Sequence, residues 1–137
     1  HSATAVIIHL HILGVIFLAL AFLHIGFPRY FKWKDELAML SLINRQMMYV
    51  HASFIAVIVL MIGILCITSA DELVRTSLGR RISLMLGLFW GLRLITQFFV
   101  YSPQLWMGKR FETTVHMVFS ILWAYAAAVF LAVSCSQ

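Results

Sequence analysis

Four polar side chains, His24, His51, Gln97 and His116, occur in a chain that is otherwise strongly apolar. Each lies a turn or so inside one end of a separate hydrophobic segment. If neighbouring segments are antiparallel helices, those four ends lie at the same end of a bundle. Three imidazoles and an amide at one depth could then form a ring between the helices, which indicates a binding site.

The chemistry favoured by this ring is the binding of a metal or of haem. Neutral imidazole is the commonest metal ligand and the usual axial ligand of haem iron. We therefore predict a redox cofactor, haem b, with His24, His51 and His116 as ligands and Gln97 orienting one of them by a hydrogen bond. Because three histidines also suit a zinc, copper or iron ion, such an ion is the alternative cofactor.

Arg93 is the charged residue that most needs explaining. It precedes Gln97 by four residues, so both side chains project from one face of a helix. No Asp or Glu lies inside any of the hydrophobic segments. We therefore expect the counter-charge of Arg93 to come from outside the chain, as a haem propionate, a lipid phosphate, a substrate carboxylate or a partner subunit.

The composition is that of an integral membrane protein. Of 137 residues, 63% are hydrophobic and 11% are charged, and the mean hydropathy is +0.97. A membrane-spanning helix needs about 20 apolar residues. Four runs are long enough, and we predict helices over 5–27, 47–68, 82–101 and 114–133. The first run is expected to be a retained helix rather than a signal peptide, and 1–137 a single transmembrane domain.

The predicted architecture is an all-α, four-helix bundle that runs up-down-up-down, because short connections make neighbouring helices antiparallel. The first connection, 29–46, begins with aromatic and basic residues and continues with leucines at helical spacing. Such a segment is typical of a short helix lying in the membrane interface. We therefore place an interfacial helix between the first two membrane helices.

Local signals mark the expected helix ends. Pro28 disfavours helical geometry at Phe27, so the first helix is predicted to end there. Ser69 and Glu72 have the spacing of a capping box, which predicts a short helical turn in the middle connection. We expect that turn to be broken near Gly79, before the third membrane helix.

The distribution of Lys and Arg predicts the orientation in the membrane. Six of them lie in loops 29–46 and 102–112, and three lie in the middle connection. The positive-inside rule then places those two loops in the cytoplasm and both termini outside. The expected location is a bacterial inner membrane. The net charge of +5 is explained by these loops facing a lipid bilayer, so we predict no nucleic-acid partner.

The histidines can also be interpreted without a binding site, and two of them, His9 and His11, lie outside the predicted ring. His9 and His11 lie about 200° apart around a helix, so at most one of them faces the bundle core. Histidines near helix ends can also serve only as interfacial residues that hydrogen-bond to backbone or lipid. Depth in the sequence therefore predicts a layer of polar groups, but not which way each side chain points.

Part of the chain resembles the small four-helix, haem-b-associated protoporphyrinogen oxidases of bacteria and, more distantly, the copper-resistance D-type membrane domains. The resemblance rests on His11 in the first helix, on Phe27-Pro28-Arg29 and on Arg45-Gln-Met-Met-Tyr49, together with chain length and helix count. It implies that His11 binds haem and that Arg29 and Arg45 lie near propionates or substrate. The lysine and histidine of the family's third helix are not evident; Arg93 and Gln97 stand there instead.

These observations predict a membrane protein that binds a redox cofactor for electron transfer or for an oxidoreductase step, with a quinone or another membrane subunit as partner. Whether the chain is itself an enzyme is left open, as is homo-oligomerisation. One alternative is a non-enzymatic accessory or scaffold subunit of a larger membrane complex. Another is a small metal- or proton-coupled transporter, against which stands the lack of an intramembrane carboxylate and of broken helices.

Overall fold

The computed structural model describes residues 2–105 and 107–136, and in this part the protein is mostly helical, without β-strands. Four long helices in this part are apolar enough to cross a membrane by length and composition, which confirms the four predicted helices. The elements in chain order are α1 (Ser2–Tyr30), α2 (Trp33–Glu36), a 3₁₀ turn (Leu37–Met39), α3 (Leu42–Thr68), α4 (Ala70–Arg75), α5 (Ser77–Phe99), a second 3₁₀ turn (Pro103–Leu105) and α6 (Arg110–Ser134).

All four long helices begin earlier than predicted, and hydroxyl side chains cap the start of two of them. The Ser41 hydroxyl accepts a hydrogen bond from the Asn44 amide at 3.4 Å, so α3 begins at Leu42 and not at residue 47. The Thr76 hydroxyl accepts one from the Gly79 amide at 2.9 Å, so α5 begins at Ser77 and not at residue 82. The expected break near Gly79 therefore lies at Thr76.

The end of α1 and the connection after it also differ from the prediction. α1 continues through Pro28 to Tyr30, because a proline in the last turn removes only one hydrogen bond from the helix. Lys32 then turns the chain with a left-handed backbone, at φ 56°. The interfacial helix is reduced to α2 and a 3₁₀ turn, because the chain becomes extended at Leu40.

The chain divides into two compact units, and α1 contributes to both. The N-terminal unit is Leu10–Ala70. In it, α1 and α3 approach closely at two glycines. A Cβ atom at Gly63 would lie 2.9 Å from the carbonyl oxygen of Gly14, and one at Gly14 would lie 2.6 Å from Ile67 Cγ1. Only residues without a Cβ allow this separation of the two helices.

The C-terminal unit consists of His1–His9 and Asp71–Gln137. Here α5 and α6 form an antiparallel pair. The indole rings of Trp90 and Trp123 stack at 4.9 Å, with 8° between their planes. Further along the pair, a Cβ at Gly87 would lie 2.7 Å from Leu131 Cδ2, so glycine again permits a close approach.

Candidate functional site

A hydrogen-bonded chain of three polar side chains joins α5 to α6 in the C-terminal unit. The Gln97 side-chain nitrogen lies 3.1 Å from His116 Nδ1 and 3.3 Å from the His116 carbonyl oxygen. On the other side, Arg93 Nη1 donates to Gln97 Oε1 at 3.4 Å. The predicted proximity of Arg93 and Gln97 on one helical face is therefore seen in the structure.

Arg93 decides how the Gln97 amide is oriented. A guanidinium carries only hydrogen-bond donors, so the amide oxygen must face Arg93 and the amide nitrogen must face His116. Two acceptors on His116 satisfy that nitrogen, and Gln97 is only 7% exposed. Since the amide donates to Nδ1, a neutral His116 carries its hydrogen on Nε2. A metal bound through Nε2 would require this arrangement to change.

The guanidinium of Arg93 lies among aromatic rings. Its Cζ atom is 5.0 Å from the ring centroid of Trp123 and 5.4 Å from that of Tyr101. Both distances are within the range of cation–π attraction. Among the described residues, Arg93 forms no ion pair with a carboxylate. Its contacts are therefore an amide and two ring faces, none of which carries a compensating charge.

The N-terminal unit places His24 beside a groove between α1 and α3. His24 Nδ1 lies 2.8 Å from the Leu20 carbonyl oxygen, which can only accept a hydrogen bond. The hydrogen of a neutral His24 is therefore on Nδ1, and the Nε2 lone pair is left available. The groove has a volume of about 340 Å³, and its lining includes His24, Pro28, Tyr49 and Ser53.

His51 does not line this groove, although it is only two residues from Tyr49. Two residues correspond to about 200° around a helix, so His51 projects from the opposite side of α3, where it is exposed. His11, the haem ligand implied by the family resemblance, is exposed as well. It lies about 20 Å along α1 from His24, at 1.5 Å per residue.

The four residues of the predicted ring are thus divided between the two units. His24 and His51 belong to the N-terminal unit, and Gln97 and His116 belong to the C-terminal unit. In residues 2–105 and 107–136, no three His, Cys, Asp or Glu side chains are grouped so that they could hold one metal ion. The ring that joins all four side chains stays a prediction.

The two arginines singled out by the resemblance lie near the ends of their helices. Arg29 is exposed in the last turn of α1. Arg45 is half-buried in the first turn of α3, where its Nη1 donates to the Leu40 carbonyl oxygen at 3.4 Å. Arg45 therefore supports the extended connection before α3.

A second polar pair was not predicted from the sequence. His9 Nδ1 lies 2.8 Å from the Tyr125 hydroxyl, and the two rings meet edge to face at 5.8 Å. Both residues line a small pocket of about 190 Å³ between α1 and α6. The sequence contained one signal for this pair. His9 lies seven residues after the start of α1 and Tyr125 lies nine residues before the end of α6, so the two lie at a similar depth.

The comparisons with known proteins add no relative. No family model, curated protein or solved structure matches this chain. The candidate sites of function are therefore the Arg93–Gln97–His116 cluster and the groove beside His24.

Proposed function

We propose that this chain is a four-helix integral membrane protein that binds a planar redox cofactor, haem b, in the groove beside His24. In this proposal α1, α3, α5 and α6 cross a bacterial inner membrane up-down-up-down, with loops 29–46 and 102–112 in the cytoplasm. The function is electron transfer or a membrane oxidoreductase step, with a quinone as the partner molecule.

The observation that carries this proposal is the hydrogen bond from His24 Nδ1 to the Leu20 carbonyl oxygen. Histidines that bind metals commonly donate their other ring N–H to a carbonyl, which fixes both the tautomer and the ring orientation. The ring of Phe27, 4.6 Å from that of His24, restricts the imidazole further. A side chain held in this way presents Nε2 as a ligand without further rearrangement.

Haem fits this groove better than a bare metal ion does. A porphyrin supplies four nitrogen ligands to its iron, so one histidine is enough to anchor it. An ion held by the protein alone needs three or more ligands, and the described residues offer no such group. The lining is mostly apolar, with Phe22, Pro28 and Leu60 among its side chains, which suits a flat hydrophobic ring. Bound haem would supply a reversible one-electron centre.

The test is the visible absorption of the detergent-purified protein after titration with haemin, before and after reduction. We expect a Soret band that sharpens on reduction in the wild type and in His51→Ala, and its loss in His24→Ala. His51→Ala is the matched control because it removes the same side chain from the opposite side of α3.

The outcomes separate the competing assignments. Loss of the band only in His11→Ala would show that the family resemblance is the better guide and that the His24 site is wrong. Loss in each of the His24, His51 and His116 variants would instead support the predicted ring. A wild type that binds neither haem nor a stoichiometric zinc, copper or iron ion would overturn the cofactor proposal.

In that last case the second candidate, a non-enzymatic accessory subunit, is favoured. The specific observation behind it is His51, which is exposed on α3 and faces away from the α1 groove. An imidazole that faces lipid is costly, whereas a neighbouring membrane protein or a second copy of this chain could cover it.

A further inference from the structure

The loop end of the α5–α6 pair holds a positive charge, that of Arg93, which no described carboxylate neutralises. Arg93 lies six residues before the end of α5, or about 9 Å along the helix axis. A charged side chain inside a membrane segment requires a partner of opposite charge or access to water. No described carboxylate of α5 or α6 pairs with Arg93, and the side chain is only partly exposed.

The contacts of Arg93 direct its guanidinium towards the membrane surface. Gln97 and Tyr101, which it contacts, follow it by four and eight residues on the loop side. Gln97 lies only about 3 Å from the end of α5 at 1.5 Å per residue. The charge therefore lies near the level at which lipid headgroups meet acyl chains, and not in the middle of the span.

The guanidinium is also held in place before any ligand binds. Gln97 is fixed by two contacts to His116, and Trp123 is fixed by its stack on Trp90. Arg93 has five N–H donors, of which one is used by Gln97. The remaining donors match the two oxygens of a carboxylate or a phosphate.

The charge around this cluster selects for an anion. Lys109 and Arg110 are exposed at the start of α6, in the same unit and at the same end of the helix pair. Glu112 is the one acidic residue between positions 94 and 120. Below this level, the exposed side chains of Met85, Phe89 and Leu92 offer an apolar surface along α5.

We infer that Arg93 is the centre of a headgroup site for an anionic amphiphile, whose phosphate or carboxylate binds the guanidinium while its acyl chain lies along α5. Arg93 supplies the charge and the paired donors, and Gln97 positions it. The rings of Trp123 and Tyr101 contact the guanidinium and hold it by cation–π attraction. The inference depends on the proposed membrane insertion and is independent of haem binding at His24.

The experiment follows tryptophan fluorescence of the protein in neutral maltoside micelles, because Trp123 lies against Arg93. The probes are phosphatidylglycerol, oleate, phosphatidylcholine and inorganic phosphate. We expect saturable changes with the first two, none with phosphatidylcholine at the same concentrations, and none with phosphate alone.

Three variants locate the site. Arg93→Gln should weaken binding of phosphatidylglycerol by about tenfold or more, the size expected for losing charge-assisted hydrogen bonds. Arg93→Lys keeps the charge but lacks the planar fork, so an intermediate affinity is expected. Arg81→Gln is the matched control, because it removes an exposed arginine from the first turns of the same helix and should leave binding unchanged.

Equal affinity of the wild type, Arg93→Gln and Arg93→Lys for phosphatidylglycerol would overturn the inference. An equal effect of inorganic phosphate would show that the ligand is a soluble anion and would overturn the amphiphile assignment. Helical circular dichroism of each variant checks folding, and Arg93→Lys keeps the test valid if Arg93→Gln does not fold. Haemin absorption of the same samples reports separately on the His24 site, so the two proposals can fail independently.

Discussion

Replacing a helical glycine by alanine usually stabilises a protein, but the close approach of α1 and α3 at Gly63 should reverse this effect there. We expect Gly63→Ala to lower the free energy of unfolding, whereas Gly26→Ala should raise it. Both glycines lie in helices of the N-terminal unit. A Cβ at Gly26 would meet no atom within 4 Å, whereas one at Gly63 would lie 2.9 Å from the Gly14 carbonyl oxygen.

The magnitude follows from two opposing contributions. Alanine is favoured over glycine in a helix by about 1 kcal/mol, and this gain applies at both positions. At Gly63 the new methyl group would also lie 3.2 Å from the backbone nitrogen of Leu18. Because backbone atoms of α1 must then move, overpacking costs about 1–3 kcal/mol. The two variants should therefore differ in unfolding free energy by about 1–3 kcal/mol.

The assay is unfolding of the protein in mixed detergent and sodium dodecyl sulfate micelles, followed by tryptophan fluorescence. Gly26→Ala should shift the midpoint to higher dodecyl sulfate, and Gly63→Ala should shift it to lower dodecyl sulfate than the wild type. If both variants were stabilised equally, α1 and α3 would not approach at Gly63 as closely as described, and the reasoning would be refuted.

Two further substitutions test local features by the same unfolding measurement. Ser83→Ala should leave the unfolding free energy unchanged or raise it, because the Ser83 hydroxyl is fully buried without a hydrogen-bond partner in the described part of the chain. Ser120→Ala is its control and should be destabilising, because that hydroxyl donates to the His116 carbonyl oxygen at 2.7 Å. Lys32→Gly should stabilise by about 1 kcal/mol, since glycine adopts a positive φ without strain. A destabilised Lys32→Gly variant would show that the turn depends on the lysine side chain.

Helix number was predictable from the sequence because spanning a bilayer requires long apolar runs, and four such runs were present. The helix ends were less predictable, since Ser41 and Thr76 cap helices by hydrogen bonds that composition does not reveal. Pro28 was expected to end α1, yet a proline in the last turn costs the helix little.

The direction of each side chain was the part that sequence could not predict. A helix that is hydrophobic all round gives no signal that separates its lipid face from its packed face. His51 therefore belonged to the expected layer by depth, although it projects from the side of α3 opposite the groove. By contrast, Arg93 and Gln97 were correctly placed together, because a spacing of four residues on one helix fixes their relation.

The proline inside α1 has a consequence for the hydration of the His24 groove. Pro28 has no N–H group, so the carbonyl of His24 lacks the donor that would normally lie four residues further along the helix. An acceptor of this kind is costly in hydrocarbon and attracts a hydroxyl group or a water molecule. Because Pro28 and His24 both line the groove, that end of it should be wet. In the proposed haem site, a proton arriving at or leaving the groove would then have a route to the aqueous phase.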